Sequence, residues 1–183
     1  MKRILEMMPV LLLLTFGVIV RLLPHIPNMT PVTAIAIASS VYLGKRYAIL
    51  IPLTVLLLSD SFLGVYDIRI MLSVYGAFSL IAILSASLGV RNKPVSTLVP
   101  IATSAIFFFL ITNAAVWLFS PWYEKTFAGL MYAYELGLPF LMNMALGDVL
   151  YSGILIGAFE LSKARKETTF SKPQSVQYLV SHK

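Results

Sequence analysis

The chain contains no cysteine. That excludes disulfides, thiolate metal sites and cysteine nucleophiles. Charge is scarce: 12% of the 183 residues are charged, against ~25% in an ordinary soluble domain. There are two histidines, His25 and His182. The topology derived below puts them on opposite sides of a membrane, where they cannot share a metal. No glycine-rich phosphate loop and no nucleophile elbow is present. Strand-like alternation is missing too, which argues against a membrane β-barrel.

What fills the chain instead is apolar: 58% of residues are hydrophobic. They gather into long runs, and a bilayer requires ~20 mostly apolar residues per crossing helix. Six runs are read as spans, at about Ile4–Leu23, Met29–Gly44 (short, at 16 residues), Tyr47–Val65, Ile70–Val90, Val95–Phe119 and Gly137–Leu161. The pattern predicts an all-α membrane protein, a six-helix transmembrane bundle in one unit over 1–161. A basic, loosely ordered cytoplasmic tail follows over 162–183, resting on anionic lipid. The first run has a basic start but no small-x-small cleavage site before Arg21, so a retained helix is expected rather than a cleaved signal.

The net charge of +6 suggests a nucleic-acid partner at first sight. Its distribution says otherwise. With the N-terminus in the cytoplasm, the inner segments hold Lys2, Arg3, Lys45, Arg46, Arg91, Lys93, Lys163, Arg165, Lys166, Lys172 and Lys183. The outer side holds Arg21, Arg69 and Lys125. This positive-inside bias predicts both termini in the cytoplasm and a multi-pass protein of the inner (cell) membrane. The expected surroundings are the lipid bilayer, with no nucleic acid. Between the fifth and sixth runs, Ser120–Leu136 carries Trp122, Tyr123, Phe127, Tyr132 and Tyr134. That mixture suits an interfacial helix at the headgroups.

Polar residues within the runs gather toward the outer end. Arg21, His25, Asn28 and Thr30 decorate a connection stiffened by Pro24, Pro27 and Pro31. It reads either as a shaped lid over a ligand or as a tight interhelical turn. Asp60 falls about 20 Å from the inner end of its helix. A bare carboxylate at that depth needs a partner or a proton. Arg21 is the expected partner, either as a helix-tying ion pair or as part of a site. Asn113 and Trp117, four apart, share a helix face. Asn143 and Asp148 lie on the last helix, pointing apart by about 140°. Asp148 aligns with Met144 and Ser152, and both polar residues are expected to be buried in the bundle. Ala34 and Ala38 allow close helix approach, expected to be internal.

These residues define three readings. In the first, Arg21, His25, Asn28, Asp60, Asn113, Trp117, Asn143 and Asp148 form a binding site for a small polar or vitamin-like molecule taken up from the outer side. An energising ATPase complex would act as partner, since the chain shows no nucleotide site. In the second, the same residues glue helices in a scaffold or partner subunit. In the third, Asp60 and Asp148 form an intramembrane aspartyl dyad. Ala145-Leu146-Gly147-Asp148 lacks the first glycine of the Gly-x-Gly-Asp pattern of such proteases, so no enzyme is expected. No cofactor is expected either.

The string Arg21-Leu-Leu-Pro-His-Ile-Pro-Asn-Met-Thr-Pro-Val32 resembles the signature of an uncharacterised bacterial integral-membrane family, a domain of unknown function. So do Leu58-Ser59-Asp60 with Leu63-Gly64, Thr112-Asn113 with Trp117, and Leu146-Gly147-Asp148 with Leu150-Tyr151. The resemblance covers nearly the whole chain. More distantly, the layout is similar to the S components of energy-coupling-factor vitamin transporters. That likeness implies six helices and a vitamin bound near the outer face under an early loop. S components commonly carry Ala-x-x-x-Ala on their first helix for docking. Here the first run has none, and the alternative, Ala34/Ala38, is on the second.

Overall fold

The computed structural model describes residues 2–87 and 97–170, with the backbone alone for 2–6, 98 and 166–170. Its elements are α1 (Lys2–Leu22), α2 (Val32–Tyr42), α3 (Lys45–Leu63), α4 (Ile68–Ser87), α5 (Leu98–Phe119) and α6 (Phe127–Phe170). No strand occurs among the described residues. Four helices, α3 to α6, are long and apolar enough to cross a membrane. Large apolar side chains such as Leu57, Phe62, Leu72, Leu146 and Val149 point outward. A helix that is apolar on its outer as well as its inner face belongs in lipid.

The centre of the bundle is α2. Every residue from Val32 to Ser40 is buried, because α3, α4, α5 and α6 surround it, with α1 alongside. Small side chains make this enclosure possible: Ala34, Ala36, Ala38 and Ser39 are all fully buried within the chain. Gly17 performs the same service on α1. A Cβ there would stand 2.6 Å from Ile35 Cδ1 and 2.8 Å from Val55 Cγ2, so only glycine lets α1 close on α2 and α3.

Contacts fix the directions. Arg21 meets Ser59 and Asp60, so α1 and α3 run together. Phe78 packs on Phe108 and Arg69 lies over Phe119, so α4 and α5 are antiparallel. Tyr42 donates to Glu160 (2.7 Å) and stacks on Phe159, while Met29 lies against Gly147, so α2 runs parallel to α6. One end of the bundle is thus marked by Arg21, the other by Tyr42.

Several boundaries differ from expectation. The second run yields 11 helical residues, Val32–Tyr42, or about 16 Å. Proline in the connection keeps Leu23–Pro31 out of the helix, and Gly44 ends it with φ 102. The sixth run does not begin at Gly137. A continuous helix starts at Phe127 and passes Pro139, so the expected interfacial helix is merged into it. Nor does order stop at Ser162: α6 continues through Phe170. Positions 88–96, with Arg91 and Lys93, and positions 171–183 lie outside the described residues. The α5–α6 corner is tied by Lys125 Nζ, which donates to the carbonyls of Trp117, Ser120 (2.6 Å) and Tyr123, a cation closing a helix C-terminus.

At the start of α4, Asp67 accepts from the Arg69 backbone N–H (2.9 Å) and from its guanidinium (2.7 Å). Arg69 holds the Asp67 carboxyl down at about 2, below its ordinary 3.8. A carboxyl lowered by folding stabilises above its unfolded value and loses that contribution as pH falls through its folded one. Acidification from about pH 4 to 2 therefore loosens the first turn of α4. Asp67→Asn keeps the cap and flattens that part of the profile, read as Tm against pH.

Candidate ligand-binding site

Arg21 occupies the last turn of α1. Its Nη2 donates to Asp60 Oδ1 at 2.5 Å and its Nε to Ser59 Oγ at 2.6 Å. From α4, Tyr75 donates to Asp60 Oδ2 at 3.0 Å. Both carboxylate oxygens are thereby satisfied, which is what a charge at 5% exposure requires in a low dielectric. Tyr66, in the loop after α3, completes the group. Burial first, then the Asp60 carboxylate, push its phenol up, and Arg21 opposes them.

The connection Leu23–Pro31 folds over this cluster by local chemistry. Met29 N–H donates to Ile26 C=O (2.9 Å), with Pro27 second and Asn28 third in the turn. Asn28 has φ 64. Proline followed by a residue with positive φ is the type II turn, and asparagine tolerates that conformation better than most residues. The turn, α1, α4, α5 and α6 enclose a half-open cavity of about 180 Å³. Its lining combines polar residues from α1, the turn and the loop after α3 (Arg21, Asn28, Thr30 and Tyr66) with apolar ones from α4, α5 and α6 (Val74, Phe78, Phe108 and Met144). Arg21 Nη1 has no hydrogen-bond partner among the described residues, so the lining retains donor capacity.

Of the residues singled out from the sequence, Arg21, Asn28 and Thr30 line the cavity and Asp60 holds Arg21 in place. The others lie elsewhere. His25 is exposed, with Nδ1 2.7 Å from Leu23 O. Asn113 donates to Phe109 O within its own helix (2.9 Å) and packs against Gly137. Trp117 donates to Glu124 O (2.8 Å) and serves the α5–α6 corner. Asn143 is half-exposed rather than buried, since α6 turns it away from the seam that buries Met144, Asp148 and Ser152. Asp148 is buried one turn past Met144, and its Oδ2 accepts from Ser104 (2.8 Å). Ser59, Tyr66 and Tyr75 were not foreseen. Ser59 adjoins Asp60, but nothing marks a tyrosine on a neighbouring helix as its second donor.

Residues 2–172 match the family described as "Family of unknown function (DUF6580)". The chain belongs to that family. This agrees with the uncharacterised family that its motifs resemble. No curated protein and no solved structure matches the chain. The family match spans all six helices and the cavity lining.

Proposed function

We propose that the protein binds a small molecule with a polar or anionic group and an apolar body, and takes it up from the outer side of the cell membrane. The observation that carries this reading is a cavity of mixed lining, in which Arg21, Asn28, Thr30 and Tyr66 join Val74, Phe78, Phe108 and Met144. Its ~180 Å³ compares with the ~150 Å³ cavity that accepts benzene and falls below the ~300–1,000 Å³ of drug-sized sites. The ligand is therefore compact, or the proline turn opens to admit a larger one. In this reading six helices cross the membrane, both termini are cytoplasmic, and Leu23–Pro31 completes the crossing that α2 is too short to make. The positive-inside bias supports a cavity facing out. Energy would come from a partner complex, as the S-component likeness suggests.

Native mass spectrometry of the gently purified full-length protein tests this. A defined non-lipid adduct is expected in the wild type. Asn28→Gly, which keeps the positive φ but removes the amide, should weaken it roughly tenfold, the worth of about one hydrogen bond. Lipid adducts alone, equal in both proteins, would favour a second reading. That reading has its own support: Asp60 already neutralises Arg21 without any ligand, as a scaffold's helix tie would.

A further inference from the structure

Asp148 is not part of the cavity wall, yet it lies directly beneath it. Met144, one turn earlier on the same face of α6, lines the cavity, and so does Phe108, one turn from Ser104 on α5. The carboxyl group is 1% exposed. Ser104 donates to Oδ2 at 2.8 Å, whereas Oδ1 has no partner of normal hydrogen-bond geometry among the described residues, although Thr33 of α2 lies beside the group. Among the described residues no cation pairs with it. Arg21 of α1 and Tyr75 of α4 are bonded to Asp60 of α3, and Tyr42 of α2 to Glu160; Tyr151, three residues on along α6, packs edge-on against Phe16. From α5 it faces Ser104, and along α6 it aligns with Met144 and Ser152.

A lone carboxylate in such a place costs several kcal/mol unless it is neutralised. Asp60 shows how this chain partners a buried carboxyl group, with an arginine and a tyrosine on its two oxygens. Asp148 has neither. What it has is one hydroxyl donor and the first turn of α2, whose N–H groups lack a side-chain cap and carry partial positive charge. These contacts leave a full negative charge unbalanced, so a proton is what would neutralise the group. The surroundings also continue. Ser152, Ser39 and Ser85 each bury a hydroxyl with no protein partner among the described residues. Ser152 is one turn past Asp148, Ser39 lies further along α2 than Thr33, and Ser85 is two turns past Phe78 on α4. All three stand on the Tyr42 side of the cavity.

We infer that Asp148 is a proton-binding site, separate from the ligand cavity and placed between it and the serine-lined interior leading to the Tyr42 end. A proton from water forms an O–H bond at the Asp148 carboxylate and neutralises it, while Ser104 continues to donate to Oδ2. Release returns the proton to water and restores the anion. The use of this proton to couple uptake rests on the binding reading above. The proton site itself does not.

Infrared difference spectroscopy of the full-length protein in lipid tests it without any ligand, using protons as the probe. The expected result is a buried carboxylic acid band that responds to pH and is missing from Asp148→Asn. Ser104→Ala, which removes a donor to the anion, should move the midpoint to higher pH. If Asp148→Asn fails to fold, the Ser104→Ala shift carries the test. A band that does not titrate, or one unaltered in both variants, overturns the inference. So does a midpoint that falls progressively as sodium replaces choline, which would make the site one for sodium. A titrating Asp148 in a protein that binds no small molecule would sink the uptake reading and leave the proton site standing.

Discussion

Truncating Arg21 to alanine is expected to destabilise the fold by about 3–5 kcal/mol, the cost of leaving one member of a buried ion pair alone. Asp60 has 7% side-chain exposure. Without Arg21 it keeps only Tyr75 on Oδ2, and Ser59 loses the guanidinium as well. The charge must then take up a proton or draw in water. Asp60→Leu alone should be comparably harmful, because it strands the guanidinium. The two together should cost much less than the sum, since an apolar pair of similar volume can replace a buried ion pair with little loss. A double-mutant cycle on Tm in detergent micelles measures this. Additive effects would mean that the 2.5 Å contact contributes no coupling and that Arg21 acts through another group.

Gly17→Leu is expected to destabilise the fold by about 1–3 kcal/mol or more through overpacking. The added side chain would collide with Ile35 on α2 and with both Val55 methyls on α3, at the point where three helices meet. Relief requires α1 to move outward. That carries Arg21, one turn further along, away from Asp60. Gly153→Leu is the control, because a Cβ there meets nothing within 4 Å. Thermal unfolding should separate the two variants clearly. Equal midpoints would show that α1 is not held as closely as described.

The Arg21–Asp60 pair was legible in the sequence because a carboxylate at that depth has few possible partners and a single arginine lies at the matching end of α1. Helix existence was legible from apolar run length. The boundaries were not. Runs report solubility in lipid, while the start of α2 is set by Pro31 and the end by Gly44 at positive φ. Asn113 and Trp117 were grouped with the site because they share depth and a helix face. Depth does not say which neighbour a face meets, and α5 turns that face to α6 through Gly137. The apolar lining was the least legible part. Phe78, Phe108 and Met144 look like any core residues until the backbone brings them into one cavity with Arg21.

The burial of α2 has a consequence for how the protein meets different membranes. Bilayers vary in thickness, and lipid-facing helices respond by tilting, while lipids stretch or compress around them. Those adjustments act on α3, α4, α5 and α6, whose outer faces carry Leu57, Leu72, Ile106 and Val149. They have no direct grip on α2, which from Val32 to Ser40 touches protein alone. The first turn of α2, between the proline turn and Asp148, is thus shielded from hydrophobic mismatch. Its geometry should be the same in thin and thick bilayers, even where the outer helices are not.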